Sequence, residues 1–210
     1  MELIEQACKE FILGTTIADT AHDITHIQRV VNTAKRLAKL ENADMSVVIP
    51  AAWLHDCVAV PKNHPDRAIA STLAADKAVK FLATFNYSDS KLGEIHHAIV
   101  AHSFSANVEP KTLEAKIVQD ADRMDALGAI GVSRCMKVGG AIARHLYHAT
   151  DPFCQSREPD DKRYTLDHFF IKLLKIKETM HTNAAKEEAT RRTQYMHEFL
   201  KELGREIGEQ

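Results

Sequence analysis

His55 and Asp56 close the apolar run Ala51-Ala52-Trp53-Leu54, and Pro61 and Pro65 stop any helix just beyond them. A histidine and a carboxylate set among small apolar side chains imply a buried polar pair, and such a pair needs partners. Upstream the candidates are His22 and His26. Downstream they are the carboxylates of Asp120-Ala121-Asp122. Imidazole and carboxylate together are the donor set of a metal site.

Helical geometry narrows the choices. His22 and His26 are four residues apart, about one turn (~5.4 Å) along one helix face. Both can reach one site, and the spacing obliges neither to bind. His55 and Asp56 diverge by about 100° on an ideal helix but can straddle one ion at a fraying end. Asp120 and Asp122 point about 200° apart, so one of them faces a given site. Asp120 has Lys116 and Arg123 as helical neighbours, the pattern of a solvated ion-pair face. Asp122 lies on a more apolar stripe with Val118 and Ala126 and is the better ligand candidate. Two imidazoles and two carboxylates suit Mn²⁺, Fe²⁺, Co²⁺, Ni²⁺ or Zn²⁺ better than Ca²⁺, with Mg²⁺ possible, and leave positions open for water. Such an ion lowers the pKa of bound water and polarises a phosphoryl oxygen.

The elements that must position these residues read as helices throughout. Residues 2–13 make a short amphipathic helix stopped by Gly14. A second runs from about His22 to Leu40, with Ile27, Val30, Val31, Ala34, Leu37 and Ala38 at core spacing. Asp44 suits the N-cap of a third, which carries Pro50 in its first turns and ends near His55-Asp56. Further helices are expected over about 66–85, through His96 and His97 to His102, from Thr112 to the Gly128–Gly131 region, and over 132–148. The charged stretch 151–163 is a long loop, and helices over 166–181 and 184–203 close the chain, the last with Tyr195, Met196, Phe199 and Leu200 inward. With no alternating β-rich run, the fold class is all-α, a compact multi-helix bundle. We expect one domain over residues 1–210, with its core over about 20–150 and the helices of 165–205 packed on it.

Bulk properties exclude some partners. The 210 residues are 45% hydrophobic and 27% charged, with net charge −2 and pI about 6.6. That balance points to neither nucleic acid nor an anionic membrane, so any phosphate binding is local. No apolar run approaches the ~20 residues of a membrane span. Glu2, Glu5 and Gln6 interrupt the first turns and speak against a secretory leader. The four cysteines (Cys8, Cys57, Cys135, Cys154) are widely spaced, which suits reduced thiols and a cytoplasmic protein. Oligomeric state is not readable. Seven of the twelve histidines fall between His22 and His102, which concentrates metal-binding capacity there.

The order His26, His55-Asp56, Asp122 resembles the H…HD…D signature of the HD-domain superfamily of metal-dependent phosphohydrolases. The strings AHDITHIQRV, WLHD, HAIVAHSFSA, EAKIVQDADRMDALGAIG and DPFCQSREPDDKRYTLDHFFIKLLK resemble its small single-domain bacterial branch, over roughly Ala21 to Met180. The resemblance implies metal ligation by His26, His55, Asp56 and Asp122 on an all-α bundle. It also implies hydrolysis of a small phosphorylated molecule, a nucleotide first among the candidates. Asp56 and His102 are the expected catalytic groups. Lys62, Arg67, His168 and Lys172 are candidate substrate-binding cations, although each also fits a solvated surface. His22 and Asp23 are candidates to support the ligands from behind, or to cap the helix. Asp120 and Asp125 read as surface ion pairs, and Cys57 as a small buried hydrophobe. The GYP element of the cyclic-dinucleotide branch is missing, which disfavours that substrate. The rival readings are a di-iron oxygenase with extra ligands from His22 or His96, and a nucleotide-binding regulatory module with a degenerate site.

Overall fold

The computed structural model describes residues 2–15, 24–58, 60 and 68–208. Among these it has nine α-helices and no strand. The α-helices are α1 (Glu2–Leu13), α2 (Ile24–Glu41), α3 (Met45–Leu54), α4 (Ala70–Leu82), α5 (Asp89–His102), α6 (Leu113–Met124), α7 (Gly128–Ala141), α8 (Asp167–Ile171) and α9 (Asn183–Glu206). Short 3₁₀ turns lie at Ala83–Phe85, Phe104–Ala106 and Leu173–Thr179. No described helix is long and apolar enough to cross a membrane. The chain forms two compact units, residues 1–124 with 181–185, and residues 125–180 with 186–210.

In the first unit the helices pack around α3, where every residue from Val47 to Leu54 is buried. A helix apolar on all sides can only be a central one. It touches α1, α2, α4, α5 and α6. Asp44 caps it, accepting Ser46 N–H at 2.8 Å and the Ser46 hydroxyl at 2.6 Å, and pairs with Lys91. Around it α2 turns inward the stripe His26, Ile27, Val30, Val31, Ala34, Leu37 and Ala38. That helix ends as Asn42 takes a left-handed φ of 56° and Ala43 N–H returns to the Ala38 carbonyl at 2.9 Å. Thr112 starts α6 as expected, its hydroxyl accepting Ala115 N–H at 3.1 Å.

Three helix ends depart from the sequence reading. The expected long helix from Thr112 stops at Met124, because Leu127 is extended and Gly128 has φ 69° before α7 begins. Gly131 beside it has no room for a Cβ against the Ala126 carbonyl, and Gly128 lies against the Arg192 side chain of α9, so these glycines serve a tight turn and a close approach between helices. Next, α7 ends at Ala141 instead of 148. Ala143 adopts φ 56°, Ala143 N–H bonds the Gly140 carbonyl and Arg144 N–H bonds the Gly139 carbonyl at 2.9 Å. This two-bond stop is a Schellman motif, here with alanine in the left-handed position. Finally, the single helix expected over 166–181 breaks at Lys172, whose φ −132° and ψ −59° leave the helical region, and continues as a 3₁₀ turn. Gly139 is a close-packing point, lying directly against Thr165.

The charged loop 151–163 is internally tied. Asp151 accepts Gln155 N–H, Ser156 N–H and the Ser156 hydroxyl at 2.7–2.9 Å. Arg157 grips the fully buried Asp167 through two bonds of 2.5 and 2.8 Å. In α9 the buried stripe is Ala185, Ala189, Thr193, Met196 and Leu200. Tyr195 lies off that stripe and is 44% exposed, against the inward placement read from the sequence.

Candidate metal centre

Four helices of the first unit deliver the candidate ligands. His26 lies in the first turn of α2, His55 and Asp56 just past the last turn of α3, His102 at the last residue of α5 and Asp122 near the end of α6.

The imidazoles form the floor. His26, His55 and His102 are 1%, 0% and 7% exposed, whereas the Asp56 and Asp122 side chains are 24% and 30% exposed. The carboxylates therefore mark the side that meets solvent. His55 Nδ1–H donates to the Ala52 carbonyl at 2.8 Å, and His102 Nδ1–H to the Ile99 carbonyl at 2.6 Å. A carbonyl can only accept, so Nδ1 carries a proton in both rings and Nε2 is the nitrogen turned toward the cluster. The buried His55 Nε2 has no hydrogen-bond partner among the described residues. Such an orphaned atom is costly unless something else takes its lone pair.

Distances show what could. His26 Nε2 is 3.4 Å from Asp122 Oδ1 and 4.0 Å from Asp56 Oδ2. His55 Nε2 is 3.4 Å from Asp56 Oδ2 and 3.9 Å from Asp122 Oδ1. Donors about 2.1 Å from a shared ion stand about 3.0 Å apart in octahedral and about 3.4 Å in tetrahedral geometry. The observed spacings match or slightly exceed these, so the residues fit a divalent ion. His26, His55 and Asp56 offer ligand atoms all within 4.8 Å of one another. His102 Nε2 stands 3.5 Å from Asp56 Oδ1, and its ring meets that of His55 edge-on, centroids 4.8 Å apart.

Electrostatics point the same way. Burial alone would push the carboxyls of Asp56 and Asp122 up, but the facing histidines override it and hold both well below the usual carboxylate range. Burial would likewise push His102 down, and its bond to Asp56 outweighs this and raises it. The cluster keeps its carboxylates ionised, as cation binding requires.

Other candidates fare differently. His22, Asp23, Lys62 and Arg67 lie outside the described residues. His168 bonds Asp161 at 2.7 Å, and Lys172, exposed at the C-cap of α8, donates its N–H to the His168 carbonyl at 3.0 Å. His96 bonds Asp76 on the surface at 3.0 Å and takes no part in the cluster. Cys57 donates to the Ala74 carbonyl at 3.3 Å, and burial pushes its thiol up to about 12, which makes it an inert core residue.

The aspartates of α6 require a correction. Asp122 does face the cluster, but Asp120 is no surface ion pair. It is 0% exposed and accepts His181 N–H, Thr182 N–H and the Thr182 hydroxyl at 2.8–2.9 Å. Asp125 is buried too, bonded to Arg134 at 2.6 Å. Gln119, buried between Ala101 and His181, was not singled out from sequence at all. The available signal was a neutral amide directly before two acidic residues on a helix with an apolar face.

The HD domain family model matches residues 23–127, half of the chain and all of the candidate centre. The chain belongs to the HD-domain family. YpgQ of Bacillus subtilis, described as uncharacterized, is 32% identical over 196 residues, covering 91% of this HD-domain chain and 87% of YpgQ. The crystal structure of YpgQ in complex with ADP matches with TM-score 0.73 and 29% identity over 98% of each chain. An HD-superfamily hydrolase from Bacillus thuringiensis matches with TM-score 0.77 and 33% identity over 100% of this chain and 98% of that one. This HD domain thus shares the fold of HD-superfamily hydrolases.

Proposed function

We propose that this chain is a metal-dependent phosphohydrolase that cleaves a phosphoester or phosphoanhydride bond of a small phosphorylated substrate, a nucleotide first among the candidates. The observation that carries the reading is the convergence of two buried imidazole nitrogens and two ionised carboxylates from separate helices at ion-binding separation. His26, His55, Asp56 and Asp122 would hold a divalent transition ion, with Mn²⁺, Co²⁺, Ni²⁺, Fe²⁺ and Zn²⁺ all compatible with the donor set and Mg²⁺ possible. When bound, such an ion supplies a water of lowered pKa and polarises a phosphoryl oxygen.

The chain's own residues do the rest. The α3 carbonyl of Ala52 fixes the His55 ring so that Nε2 points at the centre. Asp56 lies between His55 Nε2 and His102 Nε2, 3.4 and 3.5 Å from them, so its two oxygens can serve the ion and His102 separately. His102 is placed to hold a proton at Nε2 against Asp56 and pass it to a departing oxygen. Lys62 and Arg67 are the proposed phosphate-binding cations. The ADP complex of YpgQ supports a nucleotide as substrate or product.

The test is a panel of nucleoside mono-, di- and triphosphates with Mn²⁺, Co²⁺, Ni²⁺, Mg²⁺ and Zn²⁺ in turn, scoring phosphate and pyrophosphate separately. Release by the parent and its loss in Asp56→Asn is the expected result. Tight nucleotide binding with neither product under any metal would replace this reading with a binding module.

A further inference from the structure

The carbonyls in the last turn of α5, which ends at His102, run out of helical N–H partners. Two are met by side chains. His102 bonds the Ile99 carbonyl through its own ring, and Gln119 on α6 donates Nε2–H to the Ala101 carbonyl at 2.6 Å. Gln119 is 3% exposed, so water is a poor substitute there. The other end of the amide is engaged as well, since Oε1 accepts Nε2–H of His181 at 2.6 Å. Because the Ala101 carbonyl only accepts, the amide has a single satisfying orientation. His181 is held in turn by Asp120, which accepts its backbone N–H at 2.9 Å and binds Thr182 through the other carboxylate oxygen.

We propose that Gln119 is a positioning residue of the metal centre: it caps the final turn of α5, thereby fixing where His102 Nε2 points, and takes its own orientation from His181. The proposal rests on reading His102 as part of the centre. Three neighbours on α6 then divide the work. Asp122 faces the ion site, Gln119 holds the turn that carries His102, and Asp120 anchors the segment that orients Gln119. Without the amide, the Ala101 carbonyl is left buried and unmet, a state that costs enough to loosen a helix end. The His102–Ile99 bond lies inside that same turn and loosens with it. His55 serves as an internal reference, because its Nδ1–H bonds Ala52 in α3 and touches neither Gln119 nor His181.

The test is NMR of ¹⁵N-histidine-labelled, chelator-treated full-length protein, following solvent exchange of the Nδ1 protons of His102 and His55. The signals are assigned by their loss in His102→Gln and His55→Gln. In Gln119→Leu, His102 exchange should speed up relative to His55 by about tenfold, equivalent to about 1.4 kcal/mol. His181→Ala should move the same ratio in the same direction by a smaller factor. A general loss of stability would accelerate both protons alike and leave the ratio at the parental value. An unchanged ratio in folded Gln119→Leu overturns the proposal. If that variant does not fold, an unchanged ratio in His181→Ala overturns it instead. Mn²⁺ titration of the parent by calorimetry is run alongside. A parent that binds no Mn²⁺ counts against the phosphohydrolase reading, while the exchange ratio still decides the role of Gln119.

Discussion

Replacing Asp122 with Asn removes one negative charge from the centre while preserving shape, and its effect on metal-induced stabilisation can be worked out in advance. Asp122 Oδ1 lies 3.4 Å from His26 Nε2 and 3.9 Å from His55 Nε2, as a shared ligand would. An ion that binds only the folded chain, present at about 100 times its Kd, adds about 2.7 kcal/mol of stability. For 210 residues this raises Tm by about 5–11 °C, at about 2–4 °C per kcal/mol. If Asn weakens the ion about 100-fold, the same concentration only equals the new Kd, and the gain falls to about 0.4 kcal/mol, or about 1–2 °C. The assay is differential scanning calorimetry with and without Mn²⁺ after chelator treatment. Asp120→Asn is the control. Its carboxylate is spent on His181 and Thr182, so the variant should melt earlier without metal yet keep the full metal-induced increment. An Asp122→Asn protein that kept the parental increment would refute the ligand assignment. Loss of the increment in Asp120→Asn would show that the two aspartates had been told apart wrongly.

In chelator-treated protein, acid should unfold the chain through the centre. Asp56 and Asp122 are held below their ordinary values, so their contribution is present above about pH 4 and fades as pH falls through the folded values. His102 is raised, so its contribution is complete below about pH 6.5 and fades as pH climbs through its folded value. Urea midpoints measured against pH should fall on both sides, and His102→Ala should flatten the alkaline side. Arg157→Ala should destabilise the second unit by about 3–5 kcal/mol, since it strands the fully buried Asp167 without its cation; chemical denaturation reads this directly. Gly139→Ala should cost about 1–3 kcal/mol by driving a methyl group into Thr165, and adding Thr165→Ala should recover most of it, as a double-mutant cycle would show.

Much of the centre was legible because its signal is local. An apolar helix ending in His55-Asp56 announces a buried polar pair wherever it packs, and the rise of Val30, Val31, Ala34 and Leu37 along α2 fixes which way His26 must face. Asp122 faces the cluster, but the ground on which the sequence prefers it to Asp120 is mistaken. Asp120 is the more deeply buried of the two, and what buries it is a segment about sixty positions away in sequence. Periodicity cannot see such a partner. Gln119 escaped for the same reason, its two partners being a main-chain carbonyl on α5 and a distant imidazole. Helix ends went astray where backbone geometry overrode pattern. Ala143 stops α7 in a left-handed conformation that alanine does not advertise, and Lys172 breaks a segment whose composition favours helix.

The chain has a single tryptophan, and α3 carries it two residues before His55. Trp53 is 4% exposed, and its indole N–H reaches Glu5 at 3.3 Å, the same carboxylate that pairs with Lys35 at 2.5 Å. Its fluorescence therefore watches α1, α2 and α3 close on one another, and all three helices belong to the first unit. Far-ultraviolet circular dichroism, by contrast, counts the helices of both units. Recording the two signals through one denaturant series makes Trp53 a built-in gauge of cooperativity. Coincident curves mean that the chain unfolds in one step, and separated curves mean that the unit bearing the candidate metal centre has a stability of its own.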